Sequence, residues 1–338
     1  MKKFKAGIYA LLIIFVLSGC SIKYETKSGD TGNTVSQNTT DNSSKSDNKS
    51  SDSTNSTTPT HKGKKLPKGL TASQGKVAVD PTVKVVKEST DTTDIPVDYT
   101  VKDYDGYYNA VYETLNNFNS TANIKVTNYS AATYNINIVF AVLKDHFDAD
   151  YGINSGSESL YVSSTGDKIL HIEFDYKFSK KQMISMRDAA ALKASEIVKS
   201  VIKPGMTDEE KELTLHDYLV NNNKYDFVNY VNGTLPGESY TDYGALVLGT
   251  SVCGGYAKAY YRLLNLAGIK NIIIQGYGDG VLHAWNLVYI DGKYLHVDTT
   301  WDDPISNDNL LTHDYFNLTD AQISKDHTWI RKDYPASN

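Results

Sequence analysis

Three blocks of sequence decide the fold of this chain, and they follow one another as Ser251-Val252-Cys253-Gly254-Gly255-Tyr256-Ala257, His283-Ala284-Trp285-Asn286 and Val297-Asp298-Thr299-Thr300-Trp301-Asp302-Asp303-Pro304. In the first block two glycines follow Cys253, and apolar residues then recur at helical spacing up to Gly268. A glycine directly after such a run is typical of a helix C-terminus. We therefore predict that Cys253 lies at the N-terminus of a helix.

A cysteine at that position is suited to act as a nucleophile. The first N–H groups of a helix lack intrahelical partners and the helix dipole is positive there, so the pKa of a thiol is lowered. The same N–H groups can stabilise the oxyanion that forms when a thiolate attacks a carbonyl. The two glycines leave room for a substrate, which makes Gly254 a candidate cleft residue. The alternative is that Cys253 is an inert buried hydrophobe, as most lone cysteines are.

The second and third blocks are predicted to form a β-hairpin. Two β-rich runs, 283–290 and 293–300, flank Asp291-Gly292. An Asp-Gly pair between two such runs is a strong signal for a two-residue turn. This turn would pair Ile290 with Lys293 and so fix the register of the whole hairpin.

The register brings a histidine and an aspartate together. Trp285 would stand opposite Asp298, and His283 would lie diagonal to Asp298 on the same face, at about 7–8 Å between Cα atoms. A slip of one residue would place them on opposite faces. His296 shares the face of Asp298, so geometry alone does not choose between the two histidines.

Together, the three blocks resemble the transglutaminase-like superfamily of the bacterial cell-surface type, over roughly residues 180–330. The resemblance implies an α+β, papain-like core, in which the helix bearing the cysteine packs on an antiparallel sheet bearing histidine and aspartate. It also implies a catalytic triad of Cys253, His283 and Asp298, and so selects His283 over His296.

The implied activity is a thiol-dependent amide hydrolase or acyltransferase, of the cysteine peptidase or transglutaminase type, with no cofactor. The thiolate would attack a peptide or glutamine amide, and water or an amine would then release the acyl group. We expect hydrolysis over cross-linking because an exposed bacterial cleft has water in excess. The alternative is a catalytically silent module that binds cell-wall polymers or partner proteins, but all three triad positions are filled.

Further site residues are candidates of lower rank. Tyr243 is a candidate side-chain donor to the oxyanion. Trp285 and Trp301 are candidate cleft residues. We expect each to be a core residue or a wall of the cleft in preference to a direct contact with substrate.

No metal is expected. Asp302-Asp303, with Asp308 nearby, could bind calcium, but a turn before Pro304 explains them as well. A single mature cysteine and scattered histidines do not form a zinc pattern. Among those histidines, His216 is predicted to lie on a helix face, and two others are predicted to lie in loops, namely His313 and His327.

The N-terminus predicts export. Three lysines precede an apolar run over 8–17, which ends in Leu17-Ser18-Gly19-Cys20. The run is short for a membrane span and has the flanks of a signal peptide. Its end resembles the lipobox of bacterial lipoproteins, in which Cys20 would be lipidated. The alternative is an ordinary secretory signal with a stray cysteine.

Lipidation at Cys20 would anchor the protein to the outer face of the membrane, on a Gram-positive type of cell surface. Each buried CH₂ of an acyl chain contributes roughly 0.8 kcal/mol to such anchoring. The chain has two cysteines, so Cys253 would then be the single free thiol of the mature protein. Expected partners are protein or peptide substrates at the surface, including cell-wall peptides, and we expect a monomer.

Composition divides the chain into four parts. Residues 1–20 are the predicted signal peptide, and residues 21–80 are a Ser/Thr/Asn-rich tether with too few apolar residues to offset its ordering entropy. Residues 81–180 are predicted to form a small α+β domain, and residues 181–338 the transglutaminase-like domain. The net charge of −6, without a basic stripe, excludes nucleic acid as the expected partner.

Hydrophobic periodicity gives the first elements. Residues 104–115 are predicted to be helical, and residues 124–126 and 171–178 to be strands. Residues 136–147 fit a strand or a helix.

Further along, helices are predicted over 181–202 and from Thr207, where a capping box begins, to about Asn221. Residues 225–240 are predicted to be a loop because of their glycines and proline. Residues 271–275 are predicted to form a strand.

Overall fold

The structure, a computed structural model, describes residues 10–13, 83–84, 95–305 and 310–338. Cys20, the greater part of the predicted signal peptide and the whole of the predicted tether lie outside the described residues, as does Asp308. None of the helices in the described part is both long and apolar enough to cross a bilayer.

Two main sheets and seven α-helices are formed by the described residues. The strands are β1 (Ala10–Ile13), β2 (Val83–Lys84), β3 (Tyr99–Val101), β4 (Thr121–Val126), β5 (Ile153–Val162), β6 (Lys168–Tyr176), β7 (Lys224–Tyr225), β8 (Thr250–Ser251), β9 (Asn271–Gly278), β10 (Val281–Ile290), β11 (Lys293–Val297) and β12 (His327–Trp329). The α-helices are α1 (Tyr104–Asn116), α2 (Ile138–Asp145), α3 (Lys180–Val201), α4 (Asp208–Asn222), α5 (Phe227–Asn232), α6 (Cys253–Leu266) and α7 (Asp320–Ile323).

The first sheet has the order β2-β1-β5-β6-β4-β3, and α1 and α2 cover it. All its neighbours are antiparallel except β3 and β4. The predictions of α1, β4 and β6 are confirmed. The β1 segment lies within the predicted signal peptide, so cleavage before Cys20 would remove it and leave β5 as an edge strand.

The ambiguous run over 136–147 forms α2. Its four buried residues lie at positions i, i+1, i+4 and i+5, which is one face of a helix, namely Ile138, Val139, Val142 and Leu143. A strand would have buried alternate residues instead.

The capping boxes of the two helices that follow are complete. The Ser179 side chain accepts from the Gln182 N–H at the start of α3, and the Thr207 side chain accepts from the Glu210 N–H at the start of α4. Both predicted helices are confirmed, and α4 ends at Asn222.

The second sheet has the order β11-β10-β9-β12, with every pair antiparallel. The predicted hairpin is confirmed in its register, because Ile290 pairs with Lys293. Asp291 and Gly292 have φ values of 50° and 79°, as a type I′ turn requires at both central residues. This turn aligns the strands that carry the second and third blocks.

The two faces of this sheet have different partners. One face packs on α6, where Val288, Ile290 and Val297 share a core with apolar residues of α3, α4 and α6. The other face buries Trp285 and Leu287 together with residues of β9 and α7. The expected arrangement, a cysteine-bearing helix on an antiparallel sheet, is confirmed.

The prediction of a loop over 225–240 is wrong in part. The segment contains α5, which ends at Gly233 with φ of 66°, and a 3₁₀ turn at Gly237–Tyr240. The glycines and the proline lie at the ends of these short helices, so their presence does not exclude helical structure. The preceding β7 pairs in parallel with β8, which fixes the segment beside the start of α6.

Polar contacts join the segment before β5 to α6 and to the loop that precedes α6. Lys258 of α6 binds Asp150 at 2.7 Å between Nζ and Oδ2, and the hydroxyl of Tyr151 donates to Asp242. The residues described from 95 onward belong to one compact unit. The division into domains at residues 180 and 181 therefore stays a prediction.

Candidate active site

Cys253 is the first residue of α6, as predicted, and only 3% of its surface is exposed. The chain enters the helix through an extended Val252, whose N–H donates to the Ser239 carbonyl at 2.9 Å. A Cβ on Gly255 would lie 2.6 Å from the Ser251 side chain and 2.8 Å from the Ser239 oxygen. Close packing of the turn thus requires glycine at position 255. The prediction that Gly255 leaves room for a substrate is therefore not supported.

Gly254 has more space than its neighbour. A Cβ there would meet only the Tyr240 carbonyl oxygen within 4 Å, at 3.7 Å. Its backbone is partly exposed. The structure therefore leaves Gly254 as a candidate cleft residue beside the thiol.

The structure brings the three triad candidates together. His283 Nε2 lies 2.7 Å from Asp298 Oδ2, across the hairpin register described above. The Cys253 side chain is hydrogen-bonded to the same imidazole. Because Nε2 is occupied by Asp298, Nδ1 is the ring nitrogen of His283 that remains for the sulfur.

Asp298 is completely buried and its oxygens are well supplied with donors. Oδ1 accepts from the backbone N–H groups of Thr300 and Trp301, at 3.0 and 3.3 Å. Oδ2 is also 3.2 Å from Nε2 of a second histidine, His327. These contacts hold the carboxylate in one orientation.

The charges set the protonation of the site. Burial alone would lower the pKa of His283, but the charge and hydrogen bond of Asp298, with a smaller contribution from Cys253, raise it to about 9. Burial alone would raise the pKa of Asp298, yet His283 and His327 hold it well below its ordinary value. At neutral pH the site thus contains an imidazolium bound to a carboxylate, and the imidazolium favours a thiolate beside it.

His327 was predicted to be a loop residue, and this prediction is wrong. It begins β12, is fully buried, and its Nδ1 lies 2.7 Å from Asp326 Oδ1. Burial alone would lower the pKa of His327, but the hydrogen bonds and charges of Asp298 and Asp326 raise it above its ordinary value. Ligand atoms of His283, Asp298 and His327 lie within 4.8 Å of one another, so this group could also ligate a metal ion.

A signal for β12 was present in the sequence. Gly276 and Gly278 interrupt the β9 run, and glycine in a strand marks a close approach of another backbone or ring. A Cβ on Gly276 would lie 2.3 Å from the Thr328 oxygen of β12. One on Gly278 would lie 2.8 Å from the Trp301 ring.

His296, the geometric rival of His283, belongs to a different network. Its Nε2 lies 2.8 Å from Asp320 Oδ1, and its Nδ1 accepts from the Trp285 ring N–H at 3.0 Å. Asp298 is therefore the partner of His283 and not of His296.

The two tryptophans differ in exposure. Trp285 is 1% exposed and lies under the site, so it is a core residue, one of its two predicted roles, and not a cleft wall. It is buried because β12 and α7 cover that face, which the hairpin alone does not reveal. Trp301 is partly exposed, and its ring centroid lies 4.4 Å from that of His327 and 5.6 Å from that of His283. Trp301 remains a candidate cleft wall.

Tyr243 lies against a different part of the structure. Its ring packs on an apolar cluster formed mainly by Phe118, Tyr151, Met183 and Met186. That packing argues against a role as oxyanion donor. The backbone N–H groups at the start of α6 are the donors adjacent to the sulfur.

The acidic residues after the triad aspartate do not share a centre. Asp302 accepts from Thr312 Oγ1 and Tyr315 N, both at 3.0 Å, while Asp303 accepts from the Tyr256 hydroxyl. The Asp298 carbonyl accepts from the Asp302 N–H at 3.1 Å. The turn interpretation is confirmed, and the calcium interpretation gains no support from the described residues.

The fold and the site define a class of protein. A cysteine at a helix N-terminus, joined through histidine to a buried aspartate on an antiparallel sheet, is the arrangement of a papain-like α+β core. Within that class, residues 195–299 match the transglutaminase-like superfamily. This part of the chain belongs to that superfamily.

Two curated relatives are kyphoscoliosis peptidases. The human protein (Homo sapiens) is 25% identical over 169 residues, which is 45% of this chain and 25% of the relative. The mouse protein (Mus musculus) is 31% identical over 93 residues, which is 22% of this chain and 14% of the relative. The chain therefore spans a quarter or less of the length of these relatives.

Two solved structures are similar at a lower level. A structure described as a TGase has a TM-score of 0.30 and 17% identity, covering 60% of this chain and 59% of its own. A proposed cysteine protease from Cytophaga hutchinsonii has a TM-score of 0.28 and 13% identity, covering 45% of this chain and 63% of its own. Similarity at this level carries no information on function.

The first prediction concerns the charge on His283. Its pKa of about 9 lies above the ordinary value of about 6.5, so the stability it contributes is complete below pH 6.5 and is lost as the pH rises through 9. In Asp298→Asn, which removes the opposite charge, we expect the titration midpoint to fall by about 1–3 pH units. Histidine ring NMR signals, assigned with His283→Gln, measure both midpoints.

Asp320→Asn is the matched control, because it removes the carboxylate beside His296 and should leave the midpoint of His283 near 9. A wild-type midpoint near 6.5 would contradict the ion pair.

The second prediction concerns His327. Its replacement by Asn leaves Asp298 short of one donor, and a buried group without its partner costs about 1–3 kcal/mol. The amide of His327→Gln can occupy the Nε2 position, so this variant should lose less. Chemical denaturation gives the free energy of unfolding of both variants, and equal losses would show that the contact with Asp298 is not what matters.

Proposed function

We propose that this protein is a thiol-dependent amide hydrolase or acyltransferase, of the cysteine peptidase or transglutaminase type. It would act on peptide or glutamine amides through an acyl-enzyme. The observation that carries the proposal is the hydrogen-bonded series from Cys253 through His283 to the buried Asp298. The name of the mammalian relatives, kyphoscoliosis peptidase, supports the peptidase type.

The chemistry follows from this series. The Cys253 thiolate attacks the carbonyl carbon, forming a C–S bond and an oxyanion that the N-terminus of α6 stabilises. The His283 imidazolium then protonates the leaving nitrogen, and the C–N bond breaks. His283, now neutral, takes a proton from water or an amine, which attacks the thioester and restores the thiolate. Asp298 keeps His283 oriented and compensates its charge.

We favour water as the acyl acceptor, because a surface cleft is in contact with excess water. The proposed chemistry applies equally to peptide amides and to glutamine amides. Peptides at the cell surface, including cell-wall peptides, are the substrates that the proposed location would supply.

The third prediction tests the nucleophile. A peptide amide probe that traps thiols as an acyl adduct should label the wild-type protein at Cys253, and Cys253→Ala should abolish labelling. His283→Gln should reduce the labelling rate by at least about 100-fold, the lower range for loss of a general acid–base group. Peptide mass spectrometry locates the adduct.

His171→Gln is the matched control, because His171 binds Asn123 in the first sheet, away from this site. Undiminished labelling of Cys253→Ala would overturn the proposal. If wild type and Cys253→Ala both bind isolated cell wall and neither turns over amides, the protein is a binding module. Incorporation of a labelled amine into glutamine substrates would show that the reaction is transamidation and would contradict our preference for hydrolysis.

We also propose that the protein is a lipoprotein on the outer face of the cell membrane. The support is the sequence Leu17-Ser18-Gly19-Cys20 after a charged and apolar leader. Placement at the surface would give the thiol access to extracellular amides.

The fourth prediction tests the anchor. Metabolic labelling with a radioactive fatty acid should label the full chain expressed in a Gram-positive host, and Cys20→Ala should abolish the label. Cys253→Ala is the matched control and should keep it. Equal label in Cys20→Ala, or release of the wild-type protein into the medium without label, would contradict the lipoprotein proposal.

A further inference from the structure

Two histidines outside the proposed active site converge on one carboxylate. His216 and Asp217 are neighbours on α4, and His313 comes from the loop that follows β11. Asp217 Oδ1 lies 3.0 Å from His216 Nδ1 and 2.7 Å from His313 Nε2. One ligand atom from each of the three residues lies within 4.8 Å of the other two.

His216 is held from behind by a second carboxylate. Its Nε2 lies 3.1 Å from Asp302 Oδ2, and both side chains are fully buried. A metal-bound histidine almost always donates its second ring N–H to a carboxylate or carbonyl, which fixes the tautomer and the ring orientation. With the proton on Nε2, the lone pair of Nδ1 is directed at Asp217 and His313.

We propose that His216, Asp217 and His313 form a binding site for a divalent transition metal ion of the zinc type. Two imidazole nitrogens and one carboxylate oxygen are donors that suit Zn²⁺, whereas Ca²⁺ and Mg²⁺ prefer oxygen ligands. Three protein ligands leave a fourth tetrahedral position for water. The site is distinct from the Cys253 series and does not depend on the proposed function.

The accessibility of the three ligands is graded. His216 is buried, whereas the side chains of Asp217 and His313 are 37% and 42% exposed. An ion can thus reach the site from solvent past the two exposed donors and meet the buried donor at its base. The rings of Tyr260 and Phe316, at centroid distances of 6.2 and 5.0 Å, keep the His216 ring in place.

Metal binding would replace hydrogen bonds that exist now. At bond lengths of about 2.0–2.2 Å, an ion between the three groups separates Asp217 Oδ1 from the protons it accepts. Each histidine must present an unprotonated ring nitrogen to the ion, so metal binding competes with protons for these nitrogens. The alternative is that protons alone occupy this cluster, which then serves only as a hydrogen-bond network.

The fifth prediction tests the site with Zn²⁺ and Co²⁺. The background is the full chain with Cys20→Ala and Cys253→Ala, because a free thiol would bind both ions. Calorimetry with Zn²⁺ should show one site, and Co²⁺ should give the visible absorption of a cobalt–imidazole complex. Adding His313→Ala should weaken binding at least about tenfold. Loss of a residue that only supports a metal ligand already costs about that much affinity, and His313 would be a ligand itself.

The controls separate this cluster from the group of His283, Asp298 and His327, which could also bind metal, and from a histidine outside both groups. His171→Ala should leave the affinity unchanged, and so should His327→Gln, which alters the group around Asp298. Zn²⁺ should also raise the unfolding temperature of the background protein and not that of the His313→Ala variant, because only a ligand of the native state stabilises it.

Three results would overturn the proposal. The first is no binding of either ion, and the second is binding that His313→Ala leaves intact. The third is binding that His327→Gln abolishes, which would place the ion at the proposed active site. Because His313 is exposed, its replacement should not unfold the protein, and circular dichroism without metal checks this.

Discussion

The buried charge of Asp298 is the constraint on which the rest of the structure depends. A carboxylate removed from water is unstable unless its charge is matched and its oxygens accept hydrogen bonds. Its donors come from three places in the chain, namely the turn after β11, His283 of β10 and His327 of β12. The sheet can bury Asp298 only when all three are in place, so folding of the sheet and assembly of the site are one process.

The second histidine gives this carboxylate a stable partner. In the proposed reaction His283 loses its proton to the leaving nitrogen, and at that moment Asp298 would become a buried charge without a counterion. His327 lies between Asp298 and Asp326 and takes no part in that transfer, so its contact with Asp298 remains. We therefore expect His327 to keep Asp298 hydrogen-bonded and oriented while the charge of His283 changes.

The sequence predicted the features of the site that depend on neighbouring residues in the chain. Asp291-Gly292 determined the hairpin register, and the register determined that His283 and Asp298 share a face. The position of Cys253 followed from the helix that it begins. His327 was missed because β12 has three residues, too few for a periodic pattern, and because its place beside β9 is a long-range pairing. The burial of Trp285 and the meeting of His216 with His313 depend in the same way on segments that return to the core late in the chain.

The turn from Asp298 to Asp302 joins the sheet to the helices. Its two carboxylates point in opposite directions, Asp298 to the histidines of the sheet and Asp302 to His216 of α4. The helix α6 is held by both sides, since the Ala257 carbonyl accepts from Asn286 of the sheet and the Tyr260 hydroxyl donates to the Glu212 carbonyl of α4. A metal ion at His216 would brace this junction through Asp302. Its effect should therefore fall on the stability of the junction, and the bond-making steps at Cys253 should proceed without it.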